Sequence, residues 1–298
     1  MPVAEFLLRI SPKIFQSLRN AKGRLMQVLY PKLTEEKFRQ IVTKYLDVKK
    51  GSVVFIHSAT DKLNLAFPFY RILPILLEIV GEEGTLVFPC WQFDYRAEDY
   101  LKKNEIFDVR KTPTVMGLLP EFARRYKNAC RSLHPTTSMV AIGKYAKEIT
   151  GDHSNSELAN DEHSPMYKLM QHNGIIIGLG VSTYNLSYVH CVEDVMKDKF
   201  PVKTHIDEVF DAQVRDQKGE IHNVKVRPPH RQIKFRRIEK YIRENIPVEI
   251  CRDMKIDGVK YFTANSVELF KSMEALALRG ITIYTRKADV RFGNVEIK

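Results

Sequence analysis

The segment NGIIIGLGVSTYNLSYVHCVE, residues 173–193, decides the fold that the sequence predicts. Residues 175–181 are apolar apart from two glycines, a pattern typical of a strand buried on both faces of a parallel sheet. The polar residues 182–185 then form a turn, and we expect Asn185 or Ser187 to cap a helix that follows. The segment therefore predicts a strand, a turn and a helix of an α/β protein.

His190 lies within the first two turns of that predicted helix. In α/β proteins, ligands bind outside the carboxyl ends of strands, and the positive end of a helix dipole favours neutral imidazole. Neutral imidazole is the form that a general base must have, and Glu193 or Asp194 could fix its tautomer from three or four residues further on. Two interpretations stay open: a general base, or a histidine that is only half-buried near a helix end.

The rest of the chain alternates predicted strands and helices, as α/β proteins do. A strand over 52–57, a helix over 68–80 and a strand over 85–89 form a βαβ unit, for which the crossover rule predicts a parallel pair. We therefore expect a central, largely parallel or mixed sheet flanked by helices. The other predicted helices cover 34–46, 118–125, 235–246 and 266–279, the last capped by Ser266, and a further helix begins at Ser164-Pro165. The other predicted strands cover 138–142 and 281–285, and a hairpin covers 210–226. Residues 95–111 and 151–163 are predicted to be loops.

The composition is that of a globular protein with reduced thiols. Of 298 residues, 44% are hydrophobic and 28% are charged, and no apolar run approaches the ~20 residues of a membrane span. No secretory signal is evident at the N-terminus. The four cysteines lie far apart without a CxxC pair, so we expect a cytoplasmic protein without a zinc ribbon or another metal site.

A net charge of +11 indicates an anionic partner, such as a nucleic acid, an anionic lipid or a small molecule that carries phosphate. Aromatic residues are not interleaved with the basic ones as in nucleic-acid-binding motifs, so we expect no nucleic acid. Residues 1–33 form a basic amphipathic extension that precedes one domain over 34–298. This extension could contact an anionic membrane at its inner face, or it could pack on its own domain or on a partner subunit in a homo-oligomer.

Several familiar signatures are missing from the sequence. Residues 178–180 read Gly-Leu-Gly but lack the third glycine of the dinucleotide-binding motif GxGxxG. The motifs GxxxxGK[ST], GxSxG and HExxH are absent as well. An ordered set of segments nevertheless resembles the aminoglycoside 3-N-acetyltransferase family, also called the antibiotic N-acetyltransferase family. These segments are His57-Ser58 after a strand, GTLVFP (84–89) followed by Asp94, TPTVMGLLPEFARR (112–125), RSLHPTTS (131–138), Ser164-Pro165, and IIIGLGV…H..E (175–193).

This resemblance implies an α/β fold distinct from the GNAT acetyltransferases, acetyl-coenzyme A as donor and an amine as acceptor. By position in the family pattern, His190 is the base and Asp94 a further catalytic acid, and Glu193 is the catalytic carboxylate beside His190, with Asp194 still open as the partner that orients it. The segments that cradle coenzyme A in the family correspond to His57, Ser58, Arg131, Ser132, His134 and Ser138. Trp91, Arg227 and His230 are the candidate substrate contacts, with Trp91 equally expected as core.

One stretch departs from the family pattern. Enzymes that bind polycationic aminoglycosides carry acids before a late histidine, whereas this chain has Arg227-Pro228-Pro229 before His230. We therefore expect a neutral or anionic amino sugar, linked to a nucleotide or a lipid in surface polysaccharide synthesis. The alternatives are an aminoglycoside-resistance enzyme, or a protein that binds acyl-coenzyme A or nucleic acid without catalysis. The other predicted loop or surface histidines are His153, His163 and His172.

Overall fold

The computed structural model describes residues 29–231, 233 and 236–284. Most of the predicted N-terminal extension, residues 1–28, therefore lies outside the described residues. Leu33, at its end, is buried and forms a bridge with Leu65 of the domain. Within the described ranges, no helix is both long and apolar enough to span a membrane.

The predicted α/β class is confirmed, with strands and helices alternating over most of the described chain. The strands are β1 (Val53–Ser58), β2 (Thr85–Pro89), β3 (Phe107–Asp108), β4 (Cys130–Arg131), β5 (Met139–Gly143), β6 (Ile175–Leu179), β7 (Phe210–Arg215), β8 (Ile221–Val226), β9 (Cys251–Ile256) and β10 (Val259–Asn265). The α-helices are α1 (Glu35–Gln40), α2 (Ile72–Val80), α3 (Ala97–Leu101), α4 (Leu118–Arg124), α5 (Ala146–Gly151), α6 (Pro165–Gln171), α7 (Val189–Met196), α8 (Ile238–Asn245) and α9 (Ser266–Ala277).

Seven strands form the main sheet, in the order β4-β5-β2-β1-β6-β10-β9. The three central strands are parallel, because β1 pairs in parallel with both β2 and β6, and the outer strands are antiparallel. The predicted parallel pair is thus confirmed. The carboxyl ends of β1, β2 and β6 meet at one edge of the sheet, which is where ligands bind in α/β proteins.

Each face of the sheet carries a hydrophobic core, as the alternation of β1 requires. Val53 and Phe55 face one core, which α5, α6, α7, α8 and α9 cover, while Val54 and Ile56 face the other, which α1, α2 and α4 cover. Gly178 of β6 has no room for a side chain, because a Cβ atom there would lie 2.1 Å from the ring of Phe262 on β10. A second, three-stranded sheet, β3-β7-β8, has a small core of its own.

Several local predictions hold. Thr34 caps α1 through the backbone N–H of Lys37, and Ser164 caps α6 through that of Tyr167. The predicted hairpin coincides with β7 and β8.

Other predictions were wrong. Neither Asn185 nor Ser187 caps α7, since a 3₁₀ turn intervenes and the helix begins after Tyr188, and Asn265 rather than Ser266 caps α9. The segment 95–111 contains α3 and β3 instead of only a loop. Residues 281 and 282 have no regular structure and residues 283 and 284 lie in a turn, so the described part of the predicted strand over 281–285 is absent. The N–H of Ile281 instead donates to the carbonyl of Leu276, at the end of the preceding helix.

Candidate active site

A cavity of about 810 Å³ lies where the segments that follow β2 and β6 meet. Its wall includes Trp91 and Asp94 after β2, and Tyr184 and His190 after β6. Residues that follow β8, the last strand of the small sheet, line another side of the cavity. The structure therefore places the cavity at the predicted edge of the sheet.

His190 and Glu193 form a close pair in the cavity wall. His190 is the second residue of α7, and its Nδ1 lies 3.0 Å from Oε2 of Glu193, one helical turn further on. The side chain of His190 is 17% exposed and that of Glu193 is 4% exposed. When Nδ1–H donates to Glu193, the second ring nitrogen of His190 keeps its lone pair, which is the arrangement that a general base needs.

Tyr284 supports this pair and was not found from the sequence. Its hydroxyl donates to Glu193, with distances of 3.0 Å to Oε1 and 3.1 Å to Oε2. Burial raises the pKa of Tyr284 well above its ordinary value, so the hydroxyl stays a donor. The sequence offered no signal, since Tyr284 lies 91 residues after Glu193 in a stretch predicted as a strand.

Asp194, the other predicted partner of His190, makes different contacts. Its Oδ2 accepts the backbone N–H of Asn160 at 2.8 Å and the side-chain amide at 3.0 Å, and its Oδ1 lies 3.5 Å from Nε2 of His205. Burial and the charge of Glu193 raise the pKa of Asp194, while burial lowers that of His205 to about 4. The described contacts thus give His190 the partner Glu193.

Asp94 and Trp91 lie in the same cavity as His190. The Asp94 side chain belongs to an exposed residue, and Trp91 is half-buried. The carbonyl of Trp91 accepts the hydroxyl of Thr114 at 2.7 Å and the N–H of Val115 at 3.0 Å, so the backbone at this position is fixed. The structure therefore brings both predicted residues to the cavity, as a wall rather than as core.

Arg227 and His230 also line the cavity, but the charge expected of this stretch is compensated. Nη2 of Arg227 lies 3.2 Å from Oε2 of Glu157, and the Arg227 N–H donates to the Glu157 carbonyl at 2.8 Å. Glu157 comes 70 residues earlier in the chain. The sequence did not reveal this counter-charge, because it comes from a loop that sequence order does not connect to Arg227.

Further carboxylates line the cavity from α3. Glu98 forms two contacts with the guanidinium of Arg231, at 2.7 Å and 3.0 Å, and Asp99 lies 3.2 Å from the same group. The hydrogen bonds from Arg231 and Lys102 lower the pKa of Glu98 to about 2. The cavity wall thus mixes cations and anions, several of them already paired.

Arg131, Ser132 and Ser138, predicted to contact coenzyme A, are buried and bonded within the protein. Arg131 donates to the carbonyls of Thr112 and Cys90 and to Ser138 Oγ, and it lies over the ring of Phe107. Ser132 Oγ accepts the N–H of Met139 at 2.9 Å. Only Thr136 and Thr137 of the segment 131–138 line the cavity.

The remaining predicted coenzyme A contacts, His57, Ser58 and His134, do not line the cavity either. His57 packs against Phe55 and Phe262, and burial lowers its pKa to about 3. Ser58 ends β1 and is half-buried. The structure therefore does not bring these side chains together with His190, and a contact with coenzyme A stays a prediction for them.

His134 stacks on His153, with ring centroids 4.5 Å apart. The surface prediction for His153 was wrong: it is buried, with Nδ1 2.8 Å from Ser132 Oγ and Nε2 2.8 Å from the carbonyl of Ala159. His163 is exposed as expected, and His172 lies half-buried 2.9 Å from Glu148. Among the cavity residues, the guanidinium groups of Arg96 and Arg236 are candidates to hold phosphate groups.

A model of the aminoglycoside 3-N-acetyltransferase family matches residues 56–277, which is well over half of the chain. The chain therefore belongs to this family. The aminoglycoside N(3)-acetyltransferase IX of Micromonospora chalcea is 29% identical over 175 residues, which are 52% of this chain and 61% of that protein. The match thus spans less than two thirds of that relative.

Solved structures share the fold. Aminoglycoside acetyltransferase AAC(3)-Xa aligns with a TM-score of 0.73 at 17% identity, over 89% of this chain and 99% of that one. The binary structure of AAC-IIIb with CoASH aligns with a TM-score of 0.69 at 18% identity, over 86% of this chain and all of that one (100%). At these identities the structures support the fold assignment, whose predicted type is thereby confirmed.

Proposed function

We propose that the protein is an acetyl-coenzyme-A-dependent N-acetyltransferase, which acetylates an amine of an aminoglycoside-type amino sugar with His190 as general base. The observation that carries this proposal is the His190–Glu193 pair at 3.0 Å in the wall of a cavity at the carboxyl edge of the sheet. Family membership supplies the donor and the reaction class. The cavity of about 810 Å³ is large enough for the reacting ends of two substrates.

The roles of the residues follow from their contacts. His190 takes a proton from the acceptor ammonium, while Glu193 accepts its Nδ1–H and stabilises the imidazolium that forms. Tyr284 holds Glu193 in place. The amine nitrogen then forms a bond to the acetyl carbonyl carbon, the carbon–sulfur bond breaks, and the thiolate takes up a proton. One ammonium and one thioester thus give one amide, one thiol and one released proton.

The choice of an aminoglycoside-type acceptor rests on charge. The carboxylate of Asp94 lines the cavity, and Glu157 compensates Arg227, so the argument for an anionic acceptor loses its main support. Relatives named as aminoglycoside N(3)-acetyltransferases favour the same choice. Asp94 is a candidate to orient an acceptor ammonium group.

A second candidate acceptor is a phosphate-bearing amino sugar of surface polysaccharide synthesis. The observation that favours it is the presence of Arg96 and Arg236 in the cavity wall, together with the net charge of +11. These two arginines are also the candidates for the phosphates of coenzyme A. With an aminoglycoside acceptor the two arginines are left to bind coenzyme A, whereas with a phosphate-bearing acceptor they bind the acceptor's phosphate.

An acceptor panel separates the candidates. The full chain is given acetyl-coenzyme A and either kanamycin, gentamicin or glucosamine 6-phosphate, and released thiol is measured. We expect release with the two aminoglycosides and much less with the phosphate sugar, and the reverse order would establish the second candidate. If no acceptor releases thiol and acetyl-coenzyme A leaves the melting temperature unchanged, the protein is not an acetyltransferase of this kind.

We also propose that the protein is cytoplasmic and that residues 1–28 of the basic extension contact an anionic membrane surface. The support is the alternation of apolar and basic residues in this extension. Flotation with vesicles that contain phosphatidylglycerol tests the contact. The full chain should float and a chain that begins at residue 29 should not, whereas equal flotation of both would overturn the proposal. The oligomeric state, measured on the same two chains by light scattering, tests the packing alternative.

A further inference from the structure

The second histidine–carboxylate pair, Asp194 and His205, lies behind the first. Asp194 is 1% exposed, and the side chain of His205 is 12% exposed. His205 comes from the segment between α7 and β7, and Asn160, which binds Asp194, comes from the loop before α6. The pair therefore connects three separate segments around the cavity.

His205 lies in the first of two short segments that pair with each other. These segments, residues 204–206 and 228–230, are here called the wall strands. His205 forms an antiparallel bridge with Pro229. The N–H of Ile206 donates to the carbonyl of Pro228 at 3.2 Å, and that of His230 donates to the carbonyl of Thr204 at 2.8 Å. The second wall strand directly follows Arg227, and the two together contribute Thr204, His205, Pro229 and His230 to the cavity wall.

The contact between Asp194 and His205 joins the wall strands to α7, the helix that carries His190. A shift of the wall strands relative to α7 would move Arg227 and His230, but it would leave the His190–Glu193 pair intact, because both of its members lie on α7. The pair is therefore placed to control the shape of the acceptor wall without contacting the proton-transfer groups.

The contacts of Asp194 fit a pair without charge. Oδ2 of Asp194 accepts both donors from Asn160, whereas the buried Oδ1 has no hydrogen-bond donor among the described residues and lies 3.5 Å from Nε2 of His205. A buried carboxylate oxygen without a donor is costly as an anion, which favours a protonated Asp194. Nδ1–H of His205 then donates to Oγ1 of Thr204 at 3.0 Å. The facing charged or titratable groups are Glu193 and His190 on α7, Asp161 before α6, and Arg227 after β8.

The electrostatics agree with this assignment. Burial, the charge of Glu193 and that of Asp161 raise the pKa of Asp194, although the two hydrogen bonds from Asn160 oppose them, and the net direction favours the protonated form. Burial lowers the pKa of His205 to about 4, and His190 and Arg227 act in the same direction, although Glu193 opposes them. In a buried environment, an uncharged pair also avoids the cost of desolvating two ions.

We propose that Asp194 and His205 form an uncharged, buried contact pair that holds the wall strands against α7 and thereby sets the affinity for the acceptor, not the rate of acetyl transfer. This proposal rests on the proposed N-acetyltransferase function. Asp194 and His205 are positioning residues in this account, and the proton-transfer roles stay with His190 and Glu193.

Steady-state kinetics with kanamycin test the proposal through four variants. Asp194→Ala and His205→Phe remove the polar contact between the two side chains, together with their bonds to Asn160 and Thr204. We expect each to raise the acceptor KM about tenfold while kcat and the acetyl-coenzyme A KM change by less than about threefold. Asp194→Asn and His205→Gln retain a neutral hydrogen-bonding group, and both should keep the acceptor KM within about threefold of the unmodified protein. His222→Phe, on the β7–β8 hairpin, is the matched control and should change nothing.

A large loss of kcat in Asp194→Asn would overturn the proposal, because it would show that the charged carboxylate takes part in the reaction. An unchanged acceptor KM in His205→Phe would overturn it as well. Thermal unfolding of each variant, with and without acetyl-coenzyme A, identifies any chain that fails to fold. His205→Phe and Asp194→Asn then still decide the question if Asp194→Ala does not fold.

Hydrogen–deuterium exchange gives a readout that does not depend on activity. His205→Phe should increase exchange at the amides of Ile206 and His230, which donate within the wall strands, and should leave the amides of α7 unchanged. Unchanged exchange at these two amides would contradict the positioning role. If the unmodified protein acetylates no acceptor but exchange responds as expected, the proposed function fails and the positioning of the wall strands still stands.

Discussion

Two histidine–carboxylate pairs each have their carboxylate on helix α7. The pairs differ in burial, in hydrogen-bond partners and in their position relative to the cavity. His190 and Glu193 lie 3.0 Å apart with the imidazole in the cavity wall, whereas His205 and Asp194 lie 3.5 Å apart and are more deeply buried from solvent. Glu193 accepts a hydroxyl from Tyr284, and Asp194 accepts two amide donors from Asn160.

The difference teaches that burial and hydrogen-bond partners, rather than residue type, decide what such a pair does. In the first pair, one ring nitrogen is left for a substrate, so the pair is able to move a proton. In the second pair, both ring nitrogens have internal neighbours, at 3.0 Å and 3.5 Å, so the pair is suited to hold segments together. The following predictions test this contrast.

The largest effect is expected for the histidine of the first pair. His190→Ala should lower kcat by about 10²–10⁴-fold, because the amine loses its general base. Acetyl-coenzyme A binding, measured by calorimetry, should be nearly unchanged. His163→Ala, at an exposed histidine, is the control and should turn over at the rate of the unmodified protein. A His190→Ala protein with normal kcat would remove the proposed base.

The two neighbouring carboxylates should respond differently to the same chemical change. Glu193→Gln should lower kcat about 10- to 100-fold, because an amide stabilises the imidazolium less well and fixes its tautomer less strongly. Asp194→Asn should change kcat by less than about threefold, since an amide replaces a protonated acid with little change in shape. Equal losses in the two variants, measured under saturating substrates, would break the distinction between the pairs.

The second pair should contribute to acid sensitivity. The pKa of His205 in the folded state, about 4, lies below the ordinary value of 6.5, so the unfolded chain binds more protons between these values and stability falls as the pH falls. Between these two pKa values, one such histidine lowers the free energy of unfolding by about 1.4 kcal/mol for each pH unit of acidification. The raised pKa of Asp194 acts with the opposite sign, because its protonated form is favoured in the fold.

Urea unfolding at pH 7 and at pH 5 measures this sensitivity. His205→Gln should reduce the loss of stability between the two pH values, and His222→Gln, on the hairpin, should not. His57, His134 and His153 are also buried with lowered pKa values, so both variants should retain most of the acid sensitivity of the unmodified protein. An identical pH dependence in His205→Gln and the unmodified protein would contradict the burial argument for His205.

The smallest effect is expected at Tyr284, which supports the first pair from outside. Tyr284→Phe removes the hydroxyl donor to Glu193, a loss of about 1 kcal/mol that corresponds to about fivefold in kcat. Tyr45→Phe, at an exposed tyrosine, serves as the control. In a protein that already carries Glu193→Gln, Tyr284→Phe should lower kcat by a smaller factor than it does alone, because the two residues act through one contact. If the effects of the two changes on kcat simply multiply, Tyr284 does not act through Glu193.

The sequence predicted what depends on local order along the chain. The apolar run that forms β6, the spacing of His190 and Glu193 on one helix, and the hairpin of β7 and β8 are local patterns, and the structure shows all three. The ordered segments also identified the family. Contacts at three residues along a helix are fixed by helical geometry, so no tertiary information was needed for them.

Contacts between distant segments could not be predicted in this way. Glu157 pairs with Arg227 across 70 residues, and Tyr284 reaches Glu193 across 91 residues. For Arg131 the family resemblance predicts a contact with coenzyme A, which stays a prediction, and the sequence did not reveal that its guanidinium binds backbone carbonyls. A charged residue type indicates that a partner exists, while the identity of that partner depends on which segments the sheet brings together.

The measurement that most directly tests the central claim is transfer of a ¹³C-labelled acetyl group from acetyl-coenzyme A to kanamycin, followed by NMR and by thiol release on the same sample. We predict one new amide signal for each thiol released, with the initial rate reduced by about 10²–10⁴-fold in His190→Ala and unchanged in His163→Ala. Thiol release without an amide, or equal amide formation by the unmodified protein and His190→Ala, would contradict the account.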